Sequence, residues 1–175
     1  MVQKNLVVIG MQREYITRSR PFYIDSIEES LEKARMMLSY ARKQGWNIIH
    51  VRHIKDGPLF ERDSEYADFI DGFTPVIGEF EVVKYKYSCF SCLEFCEIAH
   101  DFFEDEFLII GYATNACCLA TIIDAYHRGY KFAILRDATH ALKVHGFSED
   151  AMHEHAIAIS ERFARVSELC LEVSE

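Results

Sequence analysis

Short runs of branched apolar residues alternate along the chain with longer segments in which apolar residues recur at every third or fourth position. The short runs predict buried strands, and the longer segments predict amphipathic helices. The predicted strands cover residues 5–10, 46–51, 81–84, 107–110, 131–135 and 167–173. The predicted helices cover residues 26–43, 91–103, 119–128 and 148–163.

Regular alternation of strand and helix is typical of a parallel sheet with helices on both faces. The sequence therefore predicts an α/β, three-layer doubly wound fold with a mainly parallel sheet, in a single domain that covers residues 1–175. In the long segment 52–78 the apolar residues follow neither the helical nor the strand spacing. Because it is rich in charge and is interrupted by glycine and proline, we expect a long surface excursion there.

Composition and charge limit the classes of partner. The net charge of −9, with no lysine- or arginine-rich run, argues against nucleic acid or an anionic membrane as a partner. No stretch approaches the roughly 20 apolar residues that a membrane span needs. The amino terminus lacks a signal-peptide pattern, and the six cysteines are better explained as reduced thiols than as a disulfide framework. We therefore expect a cytoplasmic protein that binds a small molecule.

The excursion 52–78 contains more aromatic residues than a solvated loop needs, namely Phe60, Tyr66, Phe69 and Phe73. Exposed apolar side chains in such number are typical of a contact between proteins. On this ground the sequence predicts a homo-oligomer.

The segment 111–121 is the most informative part of the chain. It follows the predicted strand 107–110, contains a tight turn, and leads into the predicted helix 119–128. Cys117 therefore lies at the carboxyl edge of the sheet, where open α/β folds form their sites. The exposed N–H groups at the start of the helix favour a thiolate over a thiol.

The same segment resembles the nucleophile segment of the isochorismatase-like cysteine hydrolases, which include nicotinamidases and N-carbamoylsarcosine amidases. The residues that carry the resemblance are Gly-x-Ala-Thr-Asn-x-Cys at positions 111–117, followed by x-x-x-Thr and by Asp-Ala. The resemblance implies that Cys117 attacks a small amide-type C–N bond and forms a thioester. It also implies a cis peptide between Tyr112 and Ala113, with the N–H groups of Ala113 and Cys117 forming an oxyanion hole.

A lysine motif of the family is present as well. The family lysine precedes a Tyr-Ser-x-Phe segment, and residues 84–90 read Lys-Tyr-Lys-Tyr-Ser-Cys-Phe. The resemblance implies that Lys84 ends its strand beside Cys117 and stabilises negative charge there. Lys86, two residues later, fits a surface lysine better.

The first strand departs from the family pattern. It should end Asp-x-Gln, with an acid and an aromatic residue following, but the chain has Gly10, Gln12, Glu14 and Tyr15 at these places. The resemblance makes Gly10, Gln12 and Glu14 possible pocket residues. The absent aspartate is the family's general base. Three explanations remain open: Glu14 reaches the pocket, the protein is a weak or silent binder, or a lysine-paired thiolate needs no base. We also expect that an aspartate restored at Gly10 would still point at Cys117.

The histidine pattern resembles that of the metal-free branch. Nicotinamidase-type members hold a divalent metal on Asp-x-His and two further histidines after the second strand. Here that segment contains His50 and His53 and no later histidine before His100. The resemblance therefore implies no metal and no cofactor. His53 is either a polar contact in the pocket or a half-buried histidine at a strand end.

Cys89, Cys92 and Cys96 have a C-x2-C-x3-C spacing, which is compatible with a zinc or iron–sulfur site. No clear fourth ligand accompanies them, so we expect helix residues that pack against the sheet.

Three functions remain after these observations. The first is a cysteine hydrolase of small amides, whose activity is weak or atypical because the general base is missing. The second is a catalytically silent member of the same fold that binds a small ligand or forms an oligomer. The third, which we rank last, is a redox sensor that uses the adjacent Cys117 and Cys118, because vicinal disulfides are strained.

Overall fold

The computed structural model describes residues 4–173, and these residues form one six-stranded sheet in the order β3-β2-β1-β4-β5-β6. Every pair of neighbouring strands is parallel. The strands are β1 Lys4–Ile9, β2 Asn47–His53, β3 Phe80–Lys84, β4 Glu106–Tyr112, β5 Lys131–His140 and β6 Arg165–Ser167. The predicted doubly wound α/β fold with a parallel sheet is confirmed.

Helices cover both faces of the sheet. They are α1 Glu28–Gln44, α2 Leu93–Asp101, α3 Leu119–His127, α4 Glu149–Ser160 and the short α5 Leu169–Glu172. Alternate residues of β1 point to opposite faces. Leu6 and Val8 pack with Met37 of α1, whereas Val7 and Ile9 pack on the other side with Ile122 of α3. Within residues 4–173 no helix combines the length and the apolar character that a membrane crossing requires.

The predicted last strand over residues 167–173 is wrong. The edge strand β6 ends at Ser167, and the chain then turns into α5. The buried side chains of this segment are those of Ser167, Leu169 and Glu172, a spacing that is not the strict alternation of a strand. The carboxylate of Asp137 accepts the Leu169 N–H at 3.0 Å and so satisfies an otherwise unpaired donor at the start of the helix.

The excursion 52–78 is long, as predicted, but its aromatic residues point inward. Phe60, Phe69 and Phe73 are buried within the protomer. The segment is anchored to the loop after β1, where the Ile70 N–H donates to the Met11 carbonyl at 2.8 Å. The apolar surplus that suggested a subunit contact is therefore explained by intramolecular packing. The homo-oligomer stays a prediction without this support.

Candidate active site

Three strand ends meet at the carboxyl edge of the sheet. β1 leads into Gly10, β3 ends at Lys84, and β4 leads into a π-helical turn, Thr114–Cys118, that continues as α3. The strand order reverses between β1 and β4, and parallel sheets form their ligand sites at this kind of switch point. Cys117 lies on the turn beside the switch point, with its side chain at the floor of a cavity.

Lys84 is fully buried, and its ammonium contacts the sulfur of Cys117. The Lys84 Nζ lies 3.1 Å from Cys117 Sγ, 3.0 Å from His53 Nδ1 and 3.0 Å from the carbonyl oxygen of Lys86. Three acceptors thus match the three N–H bonds of an ammonium group. No carboxylate in the part of the chain from 4 to 173 pairs with Lys84.

His53 lies beside Lys84 and lines the cavity. Its ring meets that of Phe60 edge to face at 5.0 Å and stacks on that of Tyr87 at 6.4 Å. Burial, followed by the nearby charges of Lys84 and Lys55, lowers the pKa of His53 to about 4. The ring is therefore neutral near pH 7, and its Nδ1 lone pair is available to Lys84.

Gln12 lies beneath the cavity and does not line it. Its side-chain oxygen accepts the backbone N–H of His53 at 2.8 Å, and its amide nitrogen donates to the His53 carbonyl at 2.9 Å and to the Ala67 carbonyl at 2.8 Å. Gln12 therefore joins the end of β2 to the excursion 52–78.

Glu14 does not line the cavity, so the explanation that it reaches the pocket in place of the missing aspartate is wrong. It is fully buried, and its two carboxylate oxygens pair with the Arg20 guanidinium at 3.0 and 3.1 Å. Arg20 also donates to the carbonyl of Pro58 and lies over the ring of Tyr66. The Glu14–Arg20 pair therefore connects the loop after β1 to the excursion 52–78.

The backbone conformation of Gly10 and its close approach to Tyr112 both disfavour a side chain at this position. Its φ is +59°, and a Cβ at this position would lie 2.7 Å from the carbonyl oxygen of Tyr112 and 3.5 Å from the Tyr15 ring. The former contact is shorter than a Cβ tolerates, and its partner is backbone. A side chain at position 10 therefore requires the surrounding backbone to shift, and the direction of a restored aspartate stays a prediction.

We predict that Gly10→Asp destabilises the protein without raising amide hydrolysis. A non-glycine residue at positive φ costs about 1–2 kcal/mol, and the contact with Tyr112 adds to this cost. Urea unfolding and ammonia release measure the two effects. Gly10→Ala is the matched control, because it shares the strain and lacks the carboxylate. Hydrolysis by Gly10→Asp above the wild-type rate would contradict the prediction.

The peptide bond between Tyr112 and Ala113, which the resemblance implies to be cis, is cis in the structure. The Tyr112 ring is buried away from the cavity, and its hydroxyl shares a hydrogen bond of 3.0 Å with Ser30. The Tyr112 side chain therefore does not line the cavity.

The cavity above Cys117 has a volume of about 350 Å³, within the range of small-molecule sites. Aromatic side chains form most of its walls, and no Asp or Glu is among the lining residues from the described range 4–173. The lining residues are Tyr15, Phe22, His53, Lys55, Phe60, Tyr85, Lys86, Tyr87, Ala116, Cys117 and Leu142.

Asn115 has a positioning function that sequence reasoning missed. Its side chain accepts the Leu142 N–H at 3.1 Å and donates to the Leu142 carbonyl at 2.9 Å. These two bonds hold the loop after β5 against the cavity. The sequence could have indicated this function, because Asn115 is one of the residues of the nucleophile motif.

Two further motif residues join the lysine segment to α3. The hydroxyl of Thr121 donates to the Cys117 carbonyl at 2.7 Å and accepts the Cys89 N–H at 3.0 Å. The Ser88 hydroxyl donates to Asp124 at 2.8 Å. The Thr and Asp of the motif thus fix the position of Lys84 relative to Cys117.

Cys89 and Cys118 are buried, Cys92 and Cys96 are half-buried, and Cys170 is exposed. Of Cys89, Cys92 and Cys96, which were expected to be helix residues, Cys96 alone lies within α2, because Cys92 precedes that helix and Cys89 lies in an earlier 3-10 turn. Burial raises the pKa of Cys89 to about 12, and Cys96 donates to the Phe90 carbonyl at 3.3 Å. Burial also raises the pKa of Cys118 well above its usual value, which makes this thiol a poor redox partner for Cys117. Among the residues between 4 and 173, no three His, Cys, Asp or Glu side chains are placed to share a metal ion.

His153 of α4 supports the turn that bears Cys117, because its Nδ1 lies 3.0 Å from the hydroxyl of Thr114. Burial, with a contribution from His140, lowers the pKa of His153 to about 4. Between about pH 6.5 and pH 4 the unfolded chain therefore binds more protons at this position than the folded chain does.

We predict that protein stability falls as the pH is lowered through this window, with about 1–3 kcal/mol of the loss due to His153. Urea unfolding at several pH values measures the slope, and His153→Asn should flatten it. His155→Asn, on the exposed face of the same helix, is the control. Equal slopes in the wild type and in His153→Asn would contradict the prediction.

Comparison with known proteins agrees with this geometry. Residues 4–169 match the family model described as the isochorismatase domain. A maleamate amidohydrolase from Pseudomonas putida is 24% identical over 148 residues, which cover 75% of this chain and 70% of that protein. A secreted isochorismatase effector from Verticillium dahliae is 27% identical over 158 residues, with coverage of 89% and 81%.

The fold is also found among solved structures. The crystal structure of an isochorismatase from Pseudomonas putida superposes with a TM-score of 0.88 at 24% identity and covers 97% of this chain and 89% of that one. Together with the match over residues 4–169, this likeness identifies the chain as a member of the isochorismatase family.

Proposed function

We propose that the protein is a cysteine hydrolase of small amides in which Cys117 is the nucleophile. The observation that supports this proposal most directly is the 3.1 Å contact between Lys84 Nζ and Cys117 Sγ at the floor of the cavity. A buried ammonium beside a sulfur favours the thiolate, which is the reactive form. The thiolate attacks the amide carbonyl, the amine leaves, and water hydrolyses the resulting thioester.

The backbone at the turn is suited to stabilise the oxyanion. Ala113 directly precedes the turn Thr114–Cys118, so its N–H lies at the start of the segment that bears Cys117. We assign this group and the Cys117 N–H as the oxyanion donors. Such donors are commonly worth a factor of about 10²–10³ in rate.

Two findings support a small amide as the substrate. A relative with 70% of its length matched is named a maleamate amidohydrolase, and maleamate is a small amide. The cavity of about 350 Å³, with aromatic walls, suits a compact and largely flat acyl group. Weak or atypical activity, a cytoplasmic location and a homo-oligomeric state remain part of the proposal.

Ammonia release from a panel of small amides tests the proposal. The wild type should hydrolyse at least one of them, and Cys117→Ala should reduce the rate at least about 10³-fold. Cys118→Ala is the matched control, because this neighbouring thiol is fully buried and contacts the Gly111 carbonyl instead of the cavity. The Cys118→Ala variant should hydrolyse the accepted amide at the wild-type rate.

A catalytically silent ligand binder is the second candidate, and the glycine at position 10 favours it. If the wild type never exceeds Cys117→Ala on any amide, while compounds from the panel still raise its melting temperature, the silent binder replaces the hydrolase.

A further inference from the structure

We propose that Lys84 is the proton carrier of this site and that His53 is the residue that positions it. This inference rests on the proposed hydrolase. It concerns the function that the resemblance assigns to an aspartate, which is absent here because Gly10 occupies its place. No nearby acid replaces it: both carboxylate oxygens of Glu14 are paired with Arg20, and the cavity lining includes no carboxylate within residues 4–173.

The surroundings of Lys84 determine its charge state. A fully buried ammonium requires an anionic partner, because an uncompensated charge in the interior is costly. Of the three groups that accept from Lys84 Nζ, the His53 ring and the Lys86 carbonyl are neutral. Cys117 Sγ is the one that ionises to an anion. The resting site is therefore an ammonium–thiolate pair, and the nucleophile needs no separate base to activate it.

His53 fixes the direction of the Lys84 ammonium. Its Nδ1 accepts one N–H at 3.0 Å, which places the ring proton on Nε2. The neutral ring can accept this bond at physiological pH because its pKa is low. Gln12 holds the backbone N–H and carbonyl of His53 through two buried hydrogen bonds, and the rings of Phe60 and Tyr87 pack against the imidazole, so both the backbone and the ring of His53 are supported beside Lys84.

The proton then follows a closed path. The Cys117 thiolate forms a bond to the amide carbon, and a proton moves from Lys84 Nζ to the leaving nitrogen as the C–N bond breaks. Lys84 is now a neutral amine. It takes a proton from the water that attacks the thioester, and cleavage of the C–S bond restores the thiolate and the ammonium. One amide and one water give one carboxylic acid and one amine.

The first test measures the thiolate without any substrate. Iodoacetamide labelling of Cys117, quantified on its tryptic peptide by mass spectrometry, should proceed in the wild type at similar rates near pH 6 and near pH 8. A free thiol, which ionises near pH 8.5, would react tens of times more slowly at the lower pH. Lys84→Met should reduce labelling at neutral pH at least about tenfold. If labelling of the wild type is tens of times slower near pH 6 than near pH 8, the resting ion pair between Lys84 and Cys117 is ruled out.

The second test separates charge from proton transfer. Lys84→Arg keeps a positive charge, but a guanidinium does not release its proton. This variant should retain rapid labelling of Cys117 and the burst of nitrophenol from p-nitrophenyl acetate, whose leaving group needs no proton. It should lose hydrolysis of the amide that the wild type accepts by about 10²-fold or more. Amide hydrolysis at the wild-type rate would overturn the proton carrier.

The third test concerns His53. His53→Phe keeps an aromatic ring and removes the acceptor, so labelling of Cys117 near pH 6 should fall several-fold. His53→Asn supplies an amide oxygen near the place of Nδ1 and should recover part of this loss. Identical labelling–pH curves in His53→Phe and the wild type would overturn the positioning function. If labelling behaves as expected but no amide is hydrolysed, the ion pair stands, whereas the proposed hydrolase and the proton transfer both fail.

Discussion

Gly111→Ala should leave little folded protein, with a loss of more than about 4 kcal/mol in the free energy of unfolding. Gly111 lies in β4 opposite Ile9 of β1, and its φ is +118°. An added Cβ would lie 1.9 Å from the Ile9 carbonyl oxygen and 2.8 Å from its carbonyl carbon. Neither strand can move aside, because β1 is also paired with β2 and β4 is also paired with β5. Soluble yield and the urea midpoint measure the effect.

Gly45→Ala separates steric contact from backbone strain. Gly45 ends α1 with a φ of +69°, but an added Cβ there meets no atom within 4 Å. This control should lose only about 1–2 kcal/mol. Equal losses in the two variants would show that the contact with Ile9 is relieved in solution, contrary to our expectation.

Arg20→Ala should clearly reduce the free energy of unfolding, because it leaves the buried carboxylate of Glu14 without its guanidinium partner. Arg20 also holds the Pro58 carbonyl, two residues before Phe60 in the cavity wall. We therefore expect a weaker substrate complex in any protein that remains folded. Urea unfolding and the KM for the accepted amide measure the two effects.

Arg13→Ala is the matched control for Arg20→Ala. The partner of Arg13 is Asp71, whose side chain is 91% exposed, whereas that of Glu14 is 0% exposed. Loss of such a surface pair should cost less than about 1 kcal/mol. In Arg20→Ala, a second change of Glu14→Gln removes the unpaired charge and should recover part of the stability. Equal losses in Arg13→Ala and Arg20→Ala would contradict the buried-charge argument.

The sequence predicts the sheet well because each strand is determined by a short run of neighbouring residues. Branched apolar runs such as the one around Ile110 form strands wherever both faces are covered. The carboxyl ends of neighbouring parallel strands then meet at one edge. For this reason the positions of Cys117 and Lys84 follow from two short motifs, although 33 residues separate them along the chain.

The errors concern contacts and backbone conformations that the local pattern of apolar and polar residues does not encode. No period along the chain indicates that Glu14 meets Arg20, or that Asp137 begins α5 by accepting the Leu169 N–H. The positive φ of Gly10 is likewise set by the strands around it. The contact between His53 and Lys84 joins two strand ends 31 residues apart, and only the fold reveals it.

The floor and the walls of the cavity belong to different parts of the chain. Cys117 and Lys84 are held by paired strands and by α3, whereas Phe60 comes from the excursion 52–78 and Leu142 from the loop after β5. The excursion begins and ends on neighbouring strands, β2 and β3, so it can be exchanged as a unit for that of a relative. Transplantation of the part beyond His53, residues 54–78, is therefore a direct route to chimaeras that change ligand selectivity while Cys117, Lys84 and His53 are retained.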